Sequence, residues 1–224
     1  MSFVEKSTFK FLKEIRKNNN REWFHANKPM YNTANDNMKA FLIHMEAELN
    51  KIDSIEKKKL FRIYRDVRFS KDKTPYNSHF SMSFGREGAF RRGGYYIKVT
   101  PGDSMIGGGF YNPEPKDLKL IRSHIATDAK PLRKILKSKK FKDTFGELMG
   151  NQVKTAPKGY DKHHPEIDLL KFKSMFVFKS FTDKEVLSPD FYKEIIKVYK
   201  AIRPFFDYMT EILTHDLDGV PLYK

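Results

Sequence analysis

The segment FRIYRDVRFSKDKTPY, Phe61 to Tyr76, sets Arg62, Arg65 and Arg68 three residues apart and follows them with Lys71 and Lys73. Guanidinium groups recognise phosphate or carboxylate by paired hydrogen bonds, and ammonium groups do so as point charges. The alternation of β-forming residues predicts a strand over Phe61–Phe69. On such a strand Phe61, Ile63, Val67 and Phe69 share a face with Arg65, while Arg62, Tyr64, Asp66 and Arg68 share the other. Arg62 and Arg68 then lie roughly 20 Å apart at about 3.3 Å per residue, too far to hold one phosphate. The anion site is therefore expected at the strand end, where Arg68 meets the polar turn carrying Lys71 and Lys73. Arg65, a guanidinium on an apolar face, must pair with a carboxylate, reach a rim or hold an anion. Asp66 and His79 are the acid/base candidates, and for Asp66 the plainer reading is the salt-bridge partner of a neighbouring arginine.

Further residues could complete such a site. Tyr96 lies on a predicted strand, and Gly107, Gly108 and Gly109 at a strand end point to a bulge, a close backbone approach or a ligand. Tyr96 and the glycine backbone are taken as a wall. KGYDKHHPEID supplies Tyr160, Asp161 and His163, which join the ligand-binding set if their loop covers the cationic turn. The adjacent His163 and His164 point apart, and no second histidine stands at zincin spacing, so neither a metal nor another cofactor is expected. The chain has neither a Gly-Lys-Ser/Thr phosphate loop nor a Gly-x-Ser-x-Gly elbow.

The elements that must position these residues are legible as periodicities. Phe9, Leu12 and Ile15 mark a first helix, Asn20 caps a short turn with Trp23 and Phe24, and Met38, Phe41, Leu42, Met45 and Leu49 mark a long amphipathic helix. HFSMSFG, GGYYIKVT and SMIGGGFY read as strands joined by short turns, and Phe172–Phe181 as another. Pro115 opens helices carrying Ile121, Ile125 and Leu132. A last helix is expected to start at Ser188 and Pro189, with Pro204 kinking or breaking it. The fold class is α+β: a central, mainly antiparallel sheet of about five strands, with helices from the N- and C-terminal parts packed on it. One domain over 1–224 is expected.

The net charge is +15, and its distribution is uneven. Residues 61–100 hold nine Lys and Arg against three Asp and Glu, whereas residues 161–224 hold ten against eleven. The excess suits an anionic small molecule or nucleic acid. No long apolar run indicates a membrane span, the chain has no cysteine, and its start lacks a signal-peptide core, so a cytoplasmic protein is expected. The residues favour a pocket for a phosphorylated or other anionic ligand, with metal-independent transfer or hydrolysis as the reaction if turnover occurs. A non-catalytic nucleic-acid-binding module is the alternative, supported by aromatics near cations, and a structural or protein-interaction domain is the third reading.

NNNREWFHANKPMY, FRIYRDVRFSKDKTPYNSHF, GGYYIKVTPGDSMIGGGFYNPEP, APKGYDKHHPEIDLLKFKSM and LSPDF occur in this order. With them the chain resembles a family of conserved hypothetical bacterial and fungal proteins known only as a domain of unknown function. The resemblance spans Phe9 to Met209. It implies a single-domain soluble protein and transfers no activity, cofactor or site residue.

Overall fold

The computed structural model describes residues 2–88 and 91–222. It opens with α1 (Lys6–Lys17), α2 (Arg21–Ala26) and α3 (Lys28–Leu49), followed by β1 (Ile55–Leu60), β2 (Phe80–Arg86), β3 (Gly94–Val99) and β4 (Ser104–Phe110). Next come α4 (Pro115–Thr127), α5 (Lys130–Lys137), α6 (Lys139–Phe145) and α7 (Ile167–Leu170). The chain ends with β5 (Met175–Phe181), α8 (Asp183–Val186) and α9 (Phe191–Thr214). The strands form one antiparallel sheet in the order β1-β2-β3-β4-β5, with helices supplied by the N- and C-terminal parts, which is the α+β class expected.

Two compact units share the chain. The first comprises Met1–Gly85, Tyr96–Ile106 and Ser180–Lys197, and the second Arg86–Tyr95, Gly107–Lys179 and Val198–Lys224. In the first, α1 packs on α3, and α3 on β1. Phe9, Phe11, Leu12 and Ile15 recur on one face of α1 and are buried, as are Met38, Phe41 and Met45 of α3. The polar Asn37 is tolerated in this interior because its bonds are made. Its Oδ1 accepts from the Thr8 hydroxyl at 2.8 Å and the Glu5 amide at 3.1 Å, and its Nδ2 donates to the Phe3 carbonyl at 2.9 Å.

In the second unit the buried side chains of α9 meet those of the sheet. Tyr95 lies 4.4 Å from Tyr199 and 5.2 Å from Phe206 between ring centroids, and Phe110 meets Phe205 and Phe206 edge-on. Pro204 does not break α9, which runs from Phe191 to Thr214 as one helix. The helix begins two residues later than Pro189, after the Ser188 hydroxyl accepts from the Asp190 amide.

One strand is not where alternation puts it. β1 occupies Ile55–Leu60, and Phe61–Phe69 is irregular: the Phe61 amide still donates to the Ser81 carbonyl of β2 at 2.9 Å, and beyond it Tyr64 and Tyr76 form an isolated antiparallel bridge outside the sheet. The two segments still exchange backbone bonds, Asn77 donating to Ile63 at 2.7 Å and Arg65 to Pro75 at 2.9 Å. Pro75 has no N–H to return, so the ladder cannot continue past it. The expected apolar face does not form either: Ile63 is 1% exposed, but Phe61 is 37% and Phe69 97% exposed.

Candidate anion-binding surface

The turn after Val67 folds around its own acids. Arg65 Nη1 pairs with Asp72 Oδ2 at 2.6 Å, donates to the Thr74 carbonyl at 3.0 Å and bonds the Thr74 hydroxyl. Asp72 Oδ1 in turn accepts from the Thr74 amide at 2.9 Å and hydroxyl at 2.8 Å. Those two bonds, with Arg65 behind them, hold the Asp72 carboxyl down to about 2. Arg68 grips Asp66 with its fork, Nε to Oδ1 at 3.0 Å and Nη2 to Oδ2 at 2.7 Å. Lys73 Nζ reaches back to the carbonyls of Val67 at 3.0 Å and Arg68 at 3.4 Å. The turn therefore gathers Arg65, Arg68 and Lys73, but its arginines neutralise neighbouring carboxylates, and only the exposed Lys71 has no partner among the described residues. Arg65 takes the carboxylate pairing that a guanidinium in partly buried surroundings requires.

The same geometry separates the two acid/base candidates. The Arg68 bonds lower the Asp66 pKa, the reverse of what a base working near neutrality needs. His79 is half-buried just before β2, and its pKa is lowered by burial first and then by the charge of Lys98, with a smaller contribution from Arg65. It is a neutral imidazole near two cations, each already matched, Arg65 by Asp72 and Lys98 by Asp103 at 2.5 Å. Tyr96 and Lys98 alternate with the buried Ile97 and Val99 along β3, so they share its less buried side.

A cation of another kind sits close by. Asn20 caps α2 by accepting from the Trp23 amide at 2.8 Å, and Asn19 clamps the Tyr76 backbone, donating to its carbonyl at 2.8 Å and accepting from its amide at 3.1 Å. These bonds bring the NNNREWFHANKP segment against the 64–76 segment, where Phe24 stacks on Tyr76 with centroids 4.1 Å apart. Tyr31 and Tyr64 complete the cluster at 5.1 and 5.6 Å from Phe24. Lys28 Nζ lies 4.8 Å from the centroids of Phe24 and Tyr31 and 5.6 Å from that of Tyr64, whose hydroxyl accepts its hydrogen bond at 3.0 Å. Ring quadrupoles attract the ammonium without cancelling its charge. No carboxylate among the described residues pairs with it.

Phe61, Tyr64 and Phe69 are all exposed, and each has a cation over its ring: Lys59 at 5.0 Å, Lys28 at 5.6 Å and Arg68 at 5.9 Å. Cavities occur elsewhere, one against α1 and one in the second unit between Lys116, Leu120 and Leu213, and neither includes Arg65, Arg68, Lys71 or Lys73.

The remaining sequence candidates belong to the second unit. A Cβ on Gly107, Gly108 or Gly109 would stand 1.8 Å from the Val177 carbonyl oxygen, 2.3 Å from that of Gly94 and 2.3 Å from that of Met175. The three glycines thus let the backbones of β3 and β5 approach β4, which accounts for them without a ligand. Asp161 and His163 are exposed, joined by a turn in which Asp161 Oδ1 accepts from the His163 amide at 2.6 Å, and Tyr160 meets His164 edge-on. Among the described residues no group of three or more His, Asp or Glu could hold a metal ion.

The sequence reading missed Lys28 and the roles of Phe61, Tyr64 and Phe69. A usable signal was present, since residues 57–73 carry eight Lys and Arg against two Asp and three aromatic residues, but the alternation assigned Phe61 and Phe69 to an apolar strand face and Tyr64 to the polar face opposite.

Fold and surface define an α+β protein with a basic surface studded by aromatic rings, and no helix among the described residues is long and apolar enough to cross a membrane. The chain belongs to the conserved hypothetical protein family DUF2461, which it matches over residues 7–208. No curated protein gives a significant match.

Proposed function

We propose that the protein binds a flexible polyanion, single-stranded nucleic acid, across the surface formed by residues 57–73 and Lys28. The observation that carries this reading is the set of three exposed rings, Phe61, Tyr64 and Phe69, each beside a cation. Bases stack on such rings whatever their sequence, and lysine and arginine follow the backbone phosphates. A single small anion would be better served by a concave site, and the turn spends its arginines on Asp66 and Asp72. Binding of a labelled single-stranded oligonucleotide should be tight at low salt and weaken steeply as salt rises, with log K falling by about 0.7 per phosphate neutralised for each unit of log salt. Binding that does not change with salt removes the reading.

A second reading rests on His79. A neutral imidazole near Arg65 and Lys98 has the character of a general base in an electropositive setting, suited to phosphoester or acyl transfer on an anionic substrate. In it Arg65, Arg68, Lys71 and Lys73 would attract the substrate and Tyr96 would border it. Asp66, held by Arg68, would act as a positioning carboxylate, and Gly107–Gly109, Tyr160, Asp161 and His163 have no assigned step. His79→Asn should abolish any phosphoesterase or esterase activity the parent shows on a substrate panel. Unchanged turnover in that variant excludes His79.

A further inference from the structure

The cavity against α1 has its own group of cations. It is an open depression of roughly 370 Å³, lined by the cations Lys6, Lys10 and Lys13, the apolar Phe9 and Leu187, and the acids Glu14 and Asp183. Lysines at i, i+4 and i+7 lie on one helical face, where neighbouring like charges repel. None of the three has an ion-pair or hydrogen-bond partner among the described residues.

The two carboxylates do not relieve them. Lys10 and Glu14 stand at the i,i+4 spacing of a helical ion pair, yet Glu14 lies toward Lys17, 3.8 Å away. Asp183 accepts from the Gly102 amide at 2.7 Å and sits in the first turn of α8, fixed by the capping box of Thr182 and Glu185. The cavity therefore combines an apolar lining from Phe9 and Leu187, one anchored carboxylate and three ammonium groups without an ion-pair or hydrogen-bond partner among the described residues.

We infer that this cavity binds a small molecule bearing two linked phosphoryl groups, separately from the polyanion surface. At about 1.5 Å rise per residue, successive lysines stand about 6 and about 4.5 Å apart along the helix, spans two linked phosphoryl groups can bridge. A single carboxylate would reach only one of the three ammonium groups at full strength. The apolar lining accepts the body of the molecule, and a volume of this size lies at the small end of ligand pockets. The site does not depend on the 57–73 surface, so either can fail alone.

Pyrophosphate is the probe. Titrated into the ¹⁵N-labelled full chain at low ionic strength, it should shift the amides of Lys6–Glu14, Gly102 and Leu187 saturably. The exposed triple variant Lys6→Ala, Lys10→Ala, Lys13→Ala should bind at least about tenfold more weakly, the equivalent of one strong charge-assisted hydrogen bond. Two controls guard the result. Lys137→Ala, Lys139→Ala, Lys140→Ala removes the same charge elsewhere, and Phe61→Ala, Tyr64→Ala, Phe69→Ala disables the polyanion surface. Both should bind pyrophosphate within about twofold of the parent. Shifts that never saturate, an equal loss in the charge control, or an α1 variant that binds like the parent each overturn the inference. Oligonucleotide binding, measured on the same variants, reports on the other surface independently.

Discussion

Arg68 and Lys28 each hold a cation over an exposed aromatic ring, and they differ in what answers the charge. Arg68 spends its fork on Asp66, two residues away, in solvent. Lys28 is held by Phe24, Tyr31 and Tyr64 and one phenol oxygen, so it is positioned while its charge stays unmatched. Positive residues per stretch of sequence therefore do not measure the charge a ligand would meet. The turn is richer in arginine, and the aromatic cluster has the more available cation.

The largest effect should come from removing the support of Lys28. Phe24 is buried and stacks on Tyr76, so Phe24→Ala loses transfer energy and leaves a cavity, costing about 3–5 kcal/mol in urea unfolding. A cost under about 1 kcal/mol would show that the cluster is not packed as described. The rings come next: Tyr64→Ala and Phe69→Ala should each weaken oligonucleotide binding by about 1–3 kcal/mol if a base stacks there. Fluorescence anisotropy on both variants decides whether the caged ring and the paired ring serve equally. If only Tyr64 matters, the surface ends before the turn.

Much of the fold was legible because burial repeats with the period of the element. The α1 and α3 stripes, the Asn20 cap and four of the five strands follow from spacing alone. The 61–69 segment was not, because local alternation satisfies the strand pattern while Pro75, distant in sequence but its bonding partner, withholds the donor a ladder needs. The site was legible only in its charge. That Arg65 finds Asp72 and Arg68 finds Asp66 is a matter of turn geometry, and that Lys28 meets Tyr64, 36 residues away, is tertiary. For Gly107–Gly109 spacing alone leaves a bulge, a close backbone approach or a ligand, and the carbonyls of β3 and β5 supply a sufficient reason.

A smaller effect separates the two cations directly. Lys28→Ala should reduce the salt dependence of oligonucleotide binding by about one phosphate, a change of roughly 0.7 in the log–log slope. Arg68→Ala should reduce it less, because Asp66 already offsets that charge. The reverse substitution sharpens the point, since Asp66→Asn frees Arg68 and should tighten binding. Equal slopes for Lys28→Ala and Arg68→Ala would mean that the pairing with Asp66 opens when the polyanion arrives.

The smallest effect concerns pH, and its sign follows from the direction of each shift. His79 has a folded pKa below its ordinary 6.5, so the unfolded chain takes up a proton first and stability falls as pH drops below 6.5, until the folded imidazole also titrates. Asp72 is lowered from 3.8 to about 2, so its contribution is complete above 3.8 and is lost as pH falls through 2. Acidification should therefore destabilise in two separated steps, His79 first. Lys98→Met removes the second-largest cause of the His79 shift and should move its titration upward toward 6.5, as read from the ring proton resonances. Arg65→Ala acts on both groups in the same direction and by less, because burial governs His79 and the Thr74 bonds govern Asp72. A His79 titration that stays put in Lys98→Met would show that the Lys98 charge does not reach the ring and remove the larger part of the electropositive setting on which a base at this position depends.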